Sequence, residues 1–118
     1  FTVGGGVEFS TAIELKLEDL SLEGKSEFQA EVYALFPDRK QTNASLVVSV
    51  ESGGEFVSYK VKNFDDIDFK PGAWTKVSVA MSIPPMDTIL PSKTVLKAYV
   101  YSRGESLVQI DDLSLKLQ

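Results

Sequence analysis

Apolar and polar side chains alternate one by one along most of this chain. The segment AIELKL places Ile13, Leu15 and Leu17 on one side and charged residues on the other. The segments FQAEVYALF, SLVVSV, FVSYKV, TKVSVAMSI and TVLKAYVY repeat this period of two. Alternation of this kind is typical of strands in an antiparallel sheet that has one face in the core and one in water. In FVSYKV the same rule predicts that Val57, Tyr59 and Val61 point inward.

The breaks between these segments carry turn-forming residues. They read EGK, FPDRKQTN, SGG, KPG, PPMDTILPSK and SRGES, and they hold most of the glycine, proline, asparagine and aspartate. No window of about a dozen residues shows an apolar stripe of helical period. The pattern therefore predicts an all-β fold, an antiparallel two-sheet β-sandwich of about seven to nine strands with its first and last strands close together.

The final segment, SLVQIDDLSLKLQ, changes phase. Val108 and Ile110 occupy even positions, whereas Leu113, Leu115 and Leu117 occupy odd ones. Both sets can face the core only if the strand contains one extra residue, which is what a β-bulge provides. We therefore predict a bulge at the two adjacent acids of this segment, residues 111 and 112.

Composition narrows the functional classes. The chain has 118 residues, a formal net charge of -5 and neither cysteine nor histidine. Residues 1–118 are predicted to form one domain, excised from the C-terminal end of a longer protein because the first residue is Phe1. The acidic balance argues against nucleic acid as a partner. Disulfides, thiol nucleophiles, common zinc sites and Ser-His-Asp triads are excluded. No apolar run approaches the roughly 18 residues of a membrane span, so this segment is not expected to insert into a membrane.

The densest group of acids does not suggest an enzyme. Asp65, Asp66 and Asp68 lie in NFDDIDF, where a carboxylate pair is the one catalytic device still open. The apolar residues between these acids instead predict a loop pinned to the sandwich, and the spacing is not that of an EF-hand. We predict a domain that acts by binding or packing, not by catalysis.

Ligand binding has one candidate surface. Tyr99 and Tyr101 are two residues apart on the outward side of their strand, so they can form a stacking platform. Lys97 lies beside them, and Phe56 and Lys60 are predicted to lie across from them. The alternatives are a packing pair between strands or a surface covered by another domain.

Three segments carry a resemblance to a known family. EFQAEVYAL, GAWTKVSVAMSIP and the closing VQIDDLSL resemble the jelly-roll, galactose-binding-like modules that serve as carbohydrate-binding domains of bacterial glycoside hydrolases. The segments VEFSTAIELKLEDL and LKAYVYSRGE also resemble a C-terminal domain type of bacterial membrane proteins that are themselves similar to glycosyltransferases. Both resemblances imply a jelly-roll sandwich attached to a larger protein.

The resemblance also implies roles for particular residues. Many jelly-roll modules hold a structural calcium near the two chain ends, and by position Asp111, Asp112 and Glu8 are the ligands that carry over. Calcium needs six to eight oxygens, so carbonyls and water would have to complete the site. The alternative is a bulge whose aspartates cap backbone amides or face water. Trp74, the only tryptophan, is also a candidate for stacking on a sugar, but in resembling modules the matching residue commonly packs as a structural plug, and that is the role we expect for it.

These observations predict a non-catalytic carbohydrate-binding-like module of a larger exported or membrane-anchored bacterial protein. Its expected location is extracytoplasmic, in the periplasm or at the cell surface, and its expected partners are a glycan and other domains of the parent protein. Two alternatives stay open: an accessory domain of a membrane-bound, glycosyltransferase-like protein, and a structural spacer or protein-interaction domain with no sugar ligand.

Overall fold

A computed structural model of the protein describes residues 1–10, 12–38, 42–85 and 87–118. The regular elements within these ranges are eight strands and three short 3-10 turns: β1 (Thr2–Val3), β2 (Ile13–Lys16), β3 (Glu27–Leu35), β4 (Ala44–Ser52), β5 (Glu55–Asn63), β6 (Trp74–Ser82), β7 (Thr94–Ser102), β8 (Val108–Leu117), and the turns Leu17–Asp19, Phe64–Asp66 and Pro91–Lys93. Within the described ranges, no helix has the length and apolar character that crossing a membrane requires.

The strands form two antiparallel sheets of four strands each. The first sheet has the order β1-β8-β3-β6 and the second has the order β2-β7-β4-β5. Apart from the hairpin β4–β5, neighbouring strands in each sheet are not consecutive in sequence, as in a jelly roll. Strand β1 pairs with β8, so the first and last strands are adjacent. The predicted all-β sandwich of jelly-roll type is confirmed.

The core lies between the two sheets and follows the predicted alternation. In β3 the even positions from Phe28 to Ala34 are fully buried, as is Phe36 directly after the strand, while the odd positions are half-buried or exposed. The opposite sheet contributes Leu46, Val48 and Val50 from β4, which are also fully buried. Alternation places these residues inside because each strand exposes one face and packs the other against the facing sheet.

The final strand contains the predicted bulge. On β3, Glu31 pairs with Ser114 and Tyr33 pairs with Asp111, so two steps on β3 correspond to three steps on β8. Asp112 is the extra residue, and its φ of 53° lies in the left-handed region that aspartate tolerates better than most residues. The bulge lets both apolar sets of β8 pack inward, as the change of phase required.

Strand β5 is turned the opposite way from the prediction. Tyr59 pairs with Ser49 and Val61 pairs with Val47, and these positions of β4 face away from the sandwich interior. Tyr59 therefore points outward and keeps 65% of its surface exposed. The prediction that Val57, Tyr59 and Val61 fill the core is wrong. The residues of this edge strand that face inward are Ser58, Lys60 and Lys62. Inward-pointing charges are a known feature of edge strands, where the side chains still reach water.

Candidate ligand-binding face

The outer face of the second sheet is built from transverse rows of side chains. One row runs from Phe9 through Tyr101 on β7 and Ser45 on β4 to Asn63 on β5. The next rows along the strands are Tyr99–Val47–Val61, Glu14–Lys97–Ser49–Tyr59 and Val95–Glu51–Phe56. Strand β4 thus supplies the small side chains of Ser45, Val47 and Ser49 to three of these rows, and aromatic residues lie on both sides of it.

This arrangement forms an open trough along β4. The trough has a volume of about 430 Å³, which is within the range of roughly 300–1,000 Å³ usual for ligand sites. Its lining, which we call the aromatic trough, consists of Phe9, Val47, Phe56, Tyr59, Val61, Tyr99, Tyr101 and Arg103. Phe56 and Tyr59 expose 60% and 65% of their surface, so much of the apolar lining faces solvent.

The wall on the β7 side is a compact aromatic group. The Phe9 ring lies 4.9 Å from the ring of Tyr101 and 5.9 Å from that of Tyr99, measured between centroids. The Arg103 guanidinium lies 5.4 Å from the centroid of the Tyr101 ring and donates a hydrogen bond to the Tyr101 hydroxyl. These contacts restrict the rotation of the rings. Side chains that are already held in place lose less conformational entropy when a ligand stacks on them.

One end of the trough is polar and internally paired. The Lys97 ammonium lies 3.1 Å from a Glu51 carboxylate oxygen and 3.2 Å from one of Glu14. The hydrogen bond to Glu51, followed by that to Glu14, raises the pKa of Lys97, so the amine stays charged at neutral pH. Burial, with the negative charge of Glu51 adding to it, raises the pKa of Tyr99, whose hydroxyl stays protonated. Because Lys97 is matched by two carboxylates, this end of the trough has no excess positive charge.

The predicted binding residues meet in part. Tyr99, Tyr101 and Lys97 share the outer face as expected. Phe56 joins them because β5 has an extra residue between the pairs Val50–Ser58 and Glu51–Phe56, which turns Phe56 to the same side as Tyr59. Lys60 does not join them.

The exclusion of Lys60 follows from its register. It pairs with Val48, whose side chain is fully buried in the core, so Lys60 lies on the inward parity of β5. The prediction that it faces the tyrosines is wrong. Sequence reasoning also missed Phe9, Val61 and Arg103. The outward position of Val61 could have been predicted from FVSYKV if the polar residues of this segment had been assigned to the inward side of an edge strand.

Trp74 does not act as a buried plug. It opens β6 and pairs with Leu35, whose neighbours Ala34 and Phe36 are both fully buried. Leu35 and Trp74 therefore point away from the core, and Trp74 keeps 49% of its surface exposed. The predicted structural role is wrong because the core faces the opposite parity of β6, where Val77 and Val79 lie.

The solved structures that are similar to this chain include two carbohydrate-binding domains. The structure described as Family 16 Carbohydrate Binding Module-2 has a TM-score of 0.55 and 14% identity, and the match covers 98% of this chain and 74% of that one. The CBM22-2 xylan-binding domain from Paenibacillus barcinonensis Xyn10C has a TM-score of 0.51 and 12% identity, with 80% and 63% covered. The chain shares their fold. No family model matches it, and no curated protein matches its sequence.

The acids suggested for calcium do not gather at one place. Asp111 lies opposite Tyr33 on the first sheet, and one of its carboxylate oxygens accepts a hydrogen bond of 2.9 Å from the Asp112 backbone N–H. Glu8 lies beside β7 of the second sheet, where its carbonyl accepts a bond of 2.7 Å from the Ser102 N–H. The described part of the chain contains no group of three or more metal-ligating side chains. These residues do not fit a calcium site made of Glu8 and the two aspartates.

We therefore expect calcium to leave the stability of the domain unchanged. A ligand that binds only the folded state at one hundred times its Kd adds about 2.7 kcal/mol to the free energy of unfolding. Thermal melts in EDTA and in millimolar calcium should show no comparable shift. A rise in Tm with calcium that disappears in Asp111→Asn, but not in Asp87→Asn, would contradict this expectation and restore the metal site.

Proposed function

We propose that this domain is a non-catalytic carbohydrate-binding module and that the aromatic trough is its glycan-binding site. The observation that carries the proposal is the inverted pattern of β5. This strand turns Tyr59 and Val61 toward water and its lysines toward the sandwich interior. Exposing large apolar side chains costs roughly 1.5–3 kcal/mol each relative to burial, and a ligand that covers them offsets that cost.

Sugar rings suit the chemistry of the trough. A pyranose presents apolar C–H groups on its faces and hydroxyl groups on its rim. Tyr59, Tyr99 and Tyr101 offer aromatic faces for the former and phenol hydroxyls for the latter. Lys97, Glu51 and Glu14 add polar atoms at one end without excess positive charge. The proposed ligand is therefore a glycan chain that lies along β4. The fold shared with carbohydrate-binding domains supports the proposal.

Calorimetric titration with cellohexaose, xylohexaose and mannohexaose tests this function. If each tyrosine covers roughly 50–100 Å² of sugar, it contributes about 1–2 kcal/mol at about 25 cal/mol per Å². The double variant Tyr99→Ala/Tyr101→Ala should therefore weaken binding at least tenfold, which corresponds to about 1.4 kcal/mol. Phe1→Ala is the control for the loss of an aromatic ring outside the trough, because Phe1 does not line the trough and keeps 61% of its surface exposed.

A second candidate function is docking of another protein domain, and the apolar character of the trough favours it. Phe9, Phe56 and Val61 have no polar atom with which to bind a hydroxyl group. If the trough binds protein, the panel of sugars gives no heat, and the same double variant abolishes capture of other domains of the parent protein. Absence of sugar binding, or binding that the double variant leaves unchanged, would refute the glycan proposal.

We further propose that the domain belongs to a larger exported or membrane-anchored bacterial protein and works outside the cytoplasm. The segments that resemble modules of glycoside hydrolases and domains of glycosyltransferase-like membrane proteins support this context. The gene that encodes the chain provides the test. A hydrolase domain in the same reading frame favours the sugar-binding module, whereas membrane-spanning helices favour an accessory domain of a transferase.

A further inference from the structure

Trp74 belongs to a second exposed surface, on the sheet opposite the aromatic trough. The register places Thr2, Gln109, Leu35 and Trp74 in one transverse row across β1, β8, β3 and β6. All four side chains point outward, because the alternate residues of these strands are the ones buried in the core. A half-exposed indole and a leucine thus lie side by side, with an amide and a hydroxyl group at the other end of the row.

The backbone holds this row in place. The turn before β6 passes through Gly72, whose φ of 79° is in the region that favours glycine. The Gly72 N–H donates a 2.8 Å hydrogen bond to the Phe36 carbonyl, which ties the start of β6 to the end of β3. Next to the row is a depression of about 320 Å³, whose lining includes Pro37 and Leu107 besides Leu35, Thr2 and Gln109. The indole therefore stands on a fixed strand beside Leu35, which lines the depression; Trp74 itself is not part of that lining.

The composition of the row favours a sugar over an apolar protein surface. The row carries no formal charge, and its apolar part is confined to Trp74 and Leu35. An apolar partner that covered the whole row would remove the Gln109 amide from water without replacing its hydrogen bonds, which is costly. A pyranose can stack its C–H face on the indole and place its hydroxyl groups near Gln109 and Thr2. The adjoining row keeps Lys76 paired with Glu31 at 3.3 Å, so it adds no excess positive charge.

We propose that the Trp74 surface, defined as Trp74, Leu35, Gln109, Thr2 and Leu107, is a second site for an uncharged glycan. The class of ligand rests on the proposed function, but the residues and the sheet are different. Facing sheets pack about 10 Å apart, so the two sites lie on opposite sides of the sandwich and one sugar chain cannot lie along both. The domain is then bivalent and can join two neighbouring chains of a polysaccharide.

The fluorescence of Trp74 provides a direct test, because it is the only tryptophan in the sequence. Titration of the full chain with cellohexaose, xylohexaose and mannohexaose should change the emission of Trp74 for at least one of them. The change should persist, with its Kd altered less than twofold, in Tyr99→Ala/Tyr101→Ala. Calorimetry should give about two sites per chain for the unaltered protein and one for Trp74→Ala. Trp74→Phe should retain weakened binding at the second site.

The possible failures differ from one another. Heat of binding without any change in tryptophan emission refutes the Trp74 surface and leaves the aromatic trough standing. An emission change that disappears in the double tyrosine variant also refutes it, because the indole then reports on the trough. Absence of both signals refutes both proposals. A dimer in sedimentation that Trp74→Ala converts to monomer shows that a second copy covers the indole, which again overturns the glycan assignment.

Discussion

Replacing Phe36 by alanine is expected to lower the free energy of unfolding by about 3–5 kcal/mol. Phe36 is fully buried at the end of β3. Its ring stacks on Phe69 at 4.0 Å and meets Phe64 edge to face at 5.6 Å, between centroids. Phe64 and Phe69 belong to the segment that follows β5, so this one side chain attaches that segment to the first sheet. The substitution removes buried area, leaves a cavity and loosens the attachment.

Chemical denaturation measures this effect, and Phe56→Ala is its matched control. Phe56 is the same residue type with 60% of its surface exposed, so its replacement should change the free energy of unfolding by about 0.5 kcal/mol or less. The difference between the two variants separates burial from the mere loss of a phenyl ring. Equal losses in the two variants would contradict the assignment of Phe36 to the core.

Replacing Asp65 by alanine is expected to cost about 2 kcal/mol, because its carboxylate organises the approach to β4. It accepts hydrogen bonds of 2.7 Å from the Thr42 N–H, 2.8 Å from the Thr42 hydroxyl and 2.9 Å from the Asn43 N–H. Thr42 is buried, and Asn43 has a left-handed φ of 50°. Because the carboxylate is partly exposed to solvent, we expect its three hydrogen bonds together to contribute about 1.5–3 kcal/mol to the free energy of unfolding.

The contribution of Asp65 should depend on pH in a defined direction. Burial opposes ionisation, but the bonds from Thr42 and Asn43 outweigh it, and the pKa of Asp65 lies below its ordinary value of 3.8. Because the pKa of Asp65 is lower in the folded state than in the unfolded state, its ionised carboxylate stabilises the fold fully at any pH above the unfolded-state pKa. This stabilisation is lost as the pH falls through the folded-state pKa. The stability difference between the unaltered protein and Asp65→Asn should therefore shrink as pH falls below about 4.

Asp66→Asn serves as the control for this pH dependence. Asp66 is adjacent and exposed, and it accepts one long bond of 3.5 Å from Asn63, so its replacement makes the same change in charge with little effect on stability. Denaturation curves between about pH 2.5 and 7 provide the comparison. A difference for Asp65→Asn that stays constant over this range would rule out a role for the ionised carboxylate.

The fold class and the irregularity of the last strand follow from the sequence alone. Alternation with period two requires sheets, and the turn residues separate the strands. The change of phase between Ile110 and Leu113 could be satisfied only by a bulge, and the structure contains it at Asp112. These conclusions were accessible because they depend on neighbouring residues within one strand, whose spacing is visible in the sequence.

Which face of β5 meets the core depends on its tertiary pairing. The sequence shows two alternating sets in β5 but does not label either as inward. In β6 the apolar set with Val77 and Val79 was visible, and Trp74 lies at the opposite parity, so its outward position could have been predicted. Pairing with β4 turns Tyr59 outward, and pairing with β3 does the same to Trp74. Phe9 pairs with Tyr101 through an isolated β-bridge, although the two residues are more than ninety positions apart in the sequence. A one-residue difference in register reverses every side chain of a strand, so the site depends on partners that are remote in sequence.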